Sequence, residues 1–370
     1  MTILWIPHSP FQPGSVRRDQ HLIRHLKDHH RIISVTWEAA NESVLEAFRE
    51  GLRFYKTNLK DGRTAYHVRR IPDVTRCFRR NKLDALWLNE WMFQRDIRHI
   101  VETEQVDLLV VAYSAYMTGF PPFDLDTPIV FDYLDCAEWT HASPHVKPYI
   151  TESEAVFCVS ALAEEQARRF NDNVVCLPNG ADVNALQHAS GKRVREKYRI
   201  APETPVVSLI GLMDSPYLLG AVRKAKEEIP ALKCLLVGKS EVLAAQLDTT
   251  SNDEDTFIYV GPVPYEDVAS FFAASDVGLY PVPGISYDDG RSPIKVFEYT
   301  AAGKPVVSPP IREVRRLDFN NVVYADPNAE AFAEGIVRAL QMDIPRESKI
   351  SRYDWHHLSQ QFDHHLKACV

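Results

Sequence analysis

Two charged side chains three residues apart, Lys295 and Glu298, stand in a segment whose order carries most of the chemical information, DDGRSPIKVFEYTAAGKPVVSPP at 288–310. Ser292 before Pro293 predicts a helix start, since Ser accepts an orphan N–H and Pro fits the first helical position. A helix over Pro293 to Ala302 is expected, with Gly303 as its left-handed cap residue and Pro305 preventing continuation. Val306 and Val307 then open a buried strand of the parallel type. Lys295 falls in the first turn, where the helix dipole makes a lone cation unfavourable by about 0.3–1 kcal/mol. An anion bound at the helix start reverses that sign. Glu298 lies on the same face. A cation for phosphate and a carboxylate for hydroxyls suit a nucleoside diphosphate with its ribose. Taken as a bare pair, the two read equally well as a surface Lys–Glu ion pair.

The segment SPIKVFEYTAAGKPVV, 292–307, resembles the donor-nucleotide motif of family-4 retaining glycosyltransferases. The resemblance implies the GT-B fold: two doubly wound Rossmann-like α/β domains with a facing interdomain cleft and a C-terminal crossover helix. It makes Ser292, Pro293, Ile294 and Lys295 the phosphate site and Glu298 the ribose ligand. Two departures from the family pattern stand out. Many relatives have a second Glu upstream that contacts the transferred sugar, at the position held here by Gly290; Asp288 and Asp289 are the candidate substitutes. Relatives also follow the glycine corresponding to Gly211 with a cationic pair that clamps the diphosphate. Here LMDSPYLLG follows, so Lys295 bears the phosphate charge alone or with Lys239 and Arg291. By the same resemblance Gly14 and Ser15 belong to the loop that closes over the donor phosphates. YLDCAEW approaches the acceptor, making Asp135 the first and Glu138 the second candidate there.

These residues must be positioned by two domains, and the chain of 370 residues has the length for both. A net charge of −8 argues against a general nucleic-acid binder. The six cysteines show no C-x-x-C pair or zinc spacing, so they read as small apolar residues of a reducing compartment. MTILWIPHSP reads as a first strand rather than a signal peptide. No run approaches the roughly 20 apolar residues of a membrane helix. A soluble, cytoplasmic protein without a metal or other cofactor is expected. Arg69 to Lys82 is locally basic. It reads as a solvated helical face, or as peripheral contact with anionic lipid at the inner membrane face.

Along the chain, Ile3 to Ile6 is a strand, followed by a Pro-rich loop and a helix from Ser15 to about Lys27. Ile32 to Trp37 is the next strand, and 38–68 carries no secure pattern. DLLVVAY and IVFDY, 107–113 and 129–133, are strands whose C-terminal ends bring Tyr113, Ser114, Asp132, Asp135 and Glu138 to the ligand-binding edge of an open sheet. Ala155 to Ser160 is a strand, Ser160 caps the next helix, and Asn179-Gly180 is a turn with positive φ. The boundary is placed near 190, giving an acceptor-side domain 1–190 with 351–370 packed back on it, and a donor domain 191–350. In the latter, strands end at Gly211, Gly238 and Gly261, and Tyr265 to Ala274 is an amphipathic helix. His141 and His145 lack a third ligand for a metal.

The function expected is transfer of a sugar from a nucleoside-diphosphate sugar to a glycan, lipid-linked or other hydroxyl acceptor, with retention. The alternatives are a non-catalytic nucleotide- or glycan-binding protein and a nucleotide-sugar epimerase of the same fold.

Overall fold

The computed structural model describes residues 1–8, 16–38, 55–59, 63–69, 82–112, 122–134, 146–211, 215–240, 243, 245, 247, 255–343 and 347–370. Gly14, Ser15, Tyr113, Ser114, Asp135, Glu138, His141 and His145 lie outside them, as do Asp214 and most of the basic segment between Arg69 and Lys82. The chain divides into two compact units. One centres on Arg17–Leu177, with the first strand before it and Ser359–Val370; the other centres on Pro178–Leu358.

In the first unit, eight strands form one sheet in the order β3-β4-β2-β1-β5-β6-β7-β8. They are β1 Thr2–Ile6, β2 Arg31–Glu38, β3 Tyr55–Asn58, β4 Thr64–Arg69, β5 Leu108–Ala112, β6 Ile129–Tyr133, β7 Ala155–Cys158 and β8 Val174–Cys176. All neighbours pair in parallel except β3 and β4, the hairpin that occupies the unassigned stretch. Its sequence mixes polar and apolar residues because one edge faces water. Tyr66, Lys56 and Arg31 all converge on the Glu104 carboxylate, which pins the hairpin to the end of the helix Lys82–Glu104. Those three donors hold Glu104 down at about 2, with Lys56 first among them.

Helix α1 runs Arg18–Leu26 and is capped by Arg17, not Ser15. The reason lies in its first turn, where the Gln20 side chain accepts the Arg17 N–H at 2.9 Å. Near the end of β6, Asp132 is fully buried and takes the Arg18 Nε–H at 3.0 and 3.2 Å. Asp19 beside it is 2 % exposed. Burial there pushes its carboxyl up to about 6, with Asp132 adding to the rise and the Gln20 N–H, His8 and Arg17 opposing it.

The second unit has a six-stranded, all-parallel sheet in the order β11-β10-β9-β12-β13-β14. Its strands are β9 Val206–Ile210, β10 Lys233–Val237, β11 Phe257–Gly261, β12 Val277–Leu279, β13 Val306–Ser308 and β14 Val322–Tyr324. Counted from β9 this is the dinucleotide-fold order 3-2-1-4-5-6, whose direction reverses between β9 and β12. Both faces are buried, as continuous Val/Ile/Leu runs require. Val206, Ile210, Leu235 and Val237 enter one core cluster, and Val207, Leu209 and Leu236 enter the other. Helices α2 Leu218–Glu228 and α3 Ala329–Leu340 cover the second face.

The units divide at Leu177/Pro178 rather than near 190. The residues between belong to the second unit because Pro-Asn-Gly-Ala-Asp is built into it. Asn179 bonds to Ser292, and Ala181 N–H donates to the Tyr353 carbonyl at 2.9 Å. Gly180 does not have positive φ. It is required by close approach, since a Cβ there would meet the Tyr353 carbonyl and the Leu358 side chain. Asp182 caps the following helix by accepting Ala185 N–H at 3.1 Å.

The last helix, α4, is Trp355–Lys367, and the chain rejoins the first unit at Ser359 rather than at 351. Its apolar stripe, at helical spacing, is buried: Trp355, Leu358, Phe362 and Leu366 are each at most 2 % exposed. The Phe362 ring centre lies 5.7 Å from that of Trp5 and 4.2 Å from that of Phe157, tilted against both.

Candidate functional site

The helix that carries Lys295 and Glu298, α5, runs Ile294–Ala301. Its C-terminal end is as expected from the residue types. Gly303 has φ +70, Gly303 N–H donates to the Thr300 carbonyl at 3.0 Å, and Lys304 N–H donates to the Tyr299 carbonyl at 2.9 Å. That pair of bonds is the Schellman arrangement. The N-terminal end differs. Pro293, at φ −81 and ψ 86, is the residue before the first helical one, and no side chain caps the helix. Ser292 is turned the other way. Its hydroxyl accepts Asn179 N–H at 2.9 Å, and its carbonyl accepts the Asn179 Nδ2–H at 3.0 Å. The capping role is lost because the Pro178–Asp182 loop needs a partner for its backbone, a tertiary demand that residue types in one segment do not reveal.

Ile294 and Lys295 therefore open the helix, and their N–H groups are the ones that a helix start leaves without an intrahelical acceptor, while Val296 N–H donates to the Pro293 carbonyl at 3.0 Å. Lys295 Nζ lies 2.6 Å from Glu298 Oε2, with the two side chains 24 % and 9 % exposed. The lysine stem runs past the end of β9. A Cβ placed on Gly211, φ +126, would be 3.0 Å from Lys295 Cε. The ammonium also sits 5.6 Å from the centre of the Phe272 ring. Gly211 is thus brought to the lysine by its left-handed backbone and its missing side chain, both specific needs of glycine. The next strand end repeats the device: Gly238, φ +135, would drive a Cβ into the Gly211 carbonyl.

The acidic candidates have other duties. Asp288 is 1 % exposed; its carboxylate accepts Ile285 N–H at 3.1 Å and faces Arg291 Nη1 at 3.4 Å. Asp289 accepts Arg312 N–H at 2.6 Å. Both hold the short Ser286–Asp289 turn against the chain around it, and Gly290 ends that turn at φ −91. Arg291 is half-buried and stacks 5.3 Å from the Tyr287 ring. Lys239 is exposed just beyond Gly238. Ile294, Lys295, Glu298 and Gly211 are brought together; Ser292 and Pro293 form the adjoining wall. Asn179 is the residue that sequence reasoning missed at this site. Its signal was the Asn-Gly pair, read there as a turn.

The arrangement presents one cation, one carboxylate and a helix start at the C-terminal edge of a parallel sheet, beside the strand where the order reverses. That is where open α/β sheets bind ligands, and a helix start with a lysine favours an anion. Residues 205–342 match the family model for glycosyl transferases group 1. Over its whole length the chain has the GT-B fold. It is similar to sucrose-phosphate synthase from Thermosynechococcus elongatus, with TM-score 0.71 and 14% identity over 99% of this chain and 98% of that one. It is also similar to an E. coli trehalose-6-phosphate protein solved with UDP-2-fluoro glucose, with TM-score 0.71 and 13% identity over 100% of both chains. A third neighbour is Anabaena HepE in complex with UDP, with TM-score 0.66 and 15% identity over 100% of both. No curated protein matches the sequence. Among the described residues no helix is long and apolar enough to cross a membrane.

Proposed function

We propose that this GT-B glycosyltransferase binds a nucleoside-diphosphate sugar through the second unit and transfers the sugar, with retention, to a hydroxyl acceptor held by the first. The observation that carries the reading is the Lys295–Glu298 pair in the first turns of α5, against Gly211. Breaking the bond from the anomeric carbon to the diphosphate leaves cationic character on the sugar and gathers negative charge on the departing phosphate. Preorganised positive potential at that phosphate lowers the barrier. Lys295 and the N–H groups of the first turn supply it, and Glu298 accepts hydrogen bonds from the ribose hydroxyls. Neighbours of the same fold were solved with UDP and with UDP-2-fluoro glucose, which supports a nucleotide sugar as the ligand class.

The remaining assignments follow from the family resemblance. Gly14 and Ser15 close on the phosphates, and Asp135 and Glu138 meet the acceptor. A glycan or a lipid-linked sugar is the acceptor class, in the cytoplasm, with Arg69 to Lys82 against anionic lipid where the acceptor is membrane-borne. No metal takes part, because Lys295 and the helix start carry the phosphate charge. The first test is a thermal-shift screen with uridine, guanosine, adenosine and thymidine diphosphates and their sugar conjugates. A ligand confined to the native state stabilises by roughly 2.7 kcal/mol at a hundred times its Kd. One clear responder, followed by turnover of its sugar conjugate in excess chelator, supports the proposal. Flat responses from folded protein would overturn it.

A further inference from the structure

Two cysteines stand opposite one another in the first sheet. β7 and β8 pair in parallel, and their register sets Val156 against Val174, Phe157 against Val175 and Cys158 against Cys176. Residues in direct register on neighbouring strands point to the same face, and the strands lie about 4.7–4.9 Å apart. That spacing falls within the roughly 4.4–6.8 Å between Cα atoms that a disulfide spans. The two side chains differ in access. Cys158 is fully buried in the core cluster that also takes in Val156 and Val174. Cys176 is partly exposed, on the strand at the edge of the sheet. Both are thiols in this structure.

The pair also occupies a particular place in the chain. The next residue, Leu177, donates its N–H to the Cys158 carbonyl at 2.8 Å, and the first unit ends there, at Leu177/Pro178. β8 has only 3 residues, so a short ladder holds the strand from which the chain leaves the unit. We propose that Cys158 and Cys176 are a reversible dithiol–disulfide site, whose oxidation by a low-molecular-weight disulfide clamps β8 to β7 at this exit. The Cys176 thiolate, the more accessible, attacks one sulfur of the small disulfide and expels the other half as a thiol. The Cys158 thiol then gives up its proton and attacks the Cys176 sulfur, releasing the second half as a thiol. Two protein thiols are thereby oxidised to one disulfide while one small disulfide is reduced to two thiols. Directly opposed strand side chains stand side by side instead of facing each other, so the bridge departs from relaxed geometry and is easily reduced again. The inference is independent of the nucleotide-sugar reading above.

The test is incubation of the folded full chain with oxidised glutathione, then alkylation of the remaining thiols and peptide mass spectrometry. The expected product is a linked Cys158–Cys176 peptide that has lost two hydrogens, and that disappears when the protein is returned to reduced glutathione. Cys158→Ala should halt at one glutathione carried on Cys176, and Cys176→Ala should leave Cys158 a thiol. In the bridged wild type, hydrogen exchange at the Leu177 amide should slow about tenfold or more relative to the reduced protein, because local opening of β8 is suppressed. Should either variant not fold, the wild-type link and its exchange still decide. Absence of the link in folded protein at excess oxidised glutathione overturns the proposal, as does a link that forms only in the denatured chain. A bridge that leaves Leu177 exchange unchanged overturns the clamp.

Discussion

At the scale of single residues, the site depends on a pair whose members have separate duties. Lys295→Ala removes a charge-assisted contact to phosphate and should weaken the responding nucleoside diphosphate by about 1.5–3 kcal/mol; unchanged affinity by calorimetry would take Lys295 out of the phosphate site. Asp19 offers a different kind of prediction. Its carboxyl stands near 6 in the folded chain because burial disfavours the charged form, against about 3.9 in an unfolded chain. The folded state thus holds the proton more tightly. Asp19 costs nothing below about pH 4, and the cost grows as pH rises through 6, to a plateau on the order of 2–3 kcal/mol. Asp19→Asn should accordingly raise stability at pH 7.5 and leave it unchanged at pH 4, read from denaturant midpoints at both. A gain equal at both pH values would point to packing instead of titration.

At the scale of elements, three glycines serve α5 and its surroundings for different reasons, and their substitutions should separate. Gly303 caps the helix at φ +70 with no heavy atom near a prospective Cβ, so Gly303→Ala should cost only backbone strain, about 1–2 kcal/mol, and leave ligand binding intact. Gly180 has ordinary φ but no room, and Gly180→Ala should cost about 1–3 kcal/mol through overpacking against Tyr353 and Leu358. Gly211→Ala should add lost nucleotide affinity to its strain, because the new methyl displaces the Lys295 stem. Thermal melts with and without the responding nucleotide read all three; a Gly211→Ala protein that binds as the wild type does would remove Gly211 from the site.

At the scale of the whole molecule, the last segment of the chain completes the core of the first unit. Phe362 is fully buried between Trp5 and Phe157, and His30 Nε2 meets the Asp363 carboxylate at 2.5 Å. Phe362→Ala should destabilise by about 3–5 kcal/mol, and hydrogen exchange should show the loss in β1 and β7 with the strands of the second unit protected as before. Faster exchange in β9 to β14 alone would contradict the division of the chain into these units.

Much of this architecture was legible in the amino-acid order, wherever the signal was local. β6 and β11 fall on IVFDY and FIYVG, Tyr265–Ala274 is the predicted helix, Ser160 caps as expected by accepting Ala163 N–H at 3.2 Å, and the Gly303 stop is as predicted. Each rests on a run of apolar residues bounded by a residue with one conformational use. The Lys295–Glu298 contact was legible for the same reason, since helical spacing by itself puts them on one face. What the sequence did not determine was everything whose partner is remote in the chain. Ser292 turns from capping α5 to bonding Asn179, and Gly180 is a glycine because Tyr353 passes beside it. Asp288 and Asp289 hold a turn, and the boundary falls at Leu177/Pro178 instead of near 190. Polar groups bond to the nearest unmet partner in three dimensions, and when that partner arrives from another segment only the tertiary structure can say which one it is.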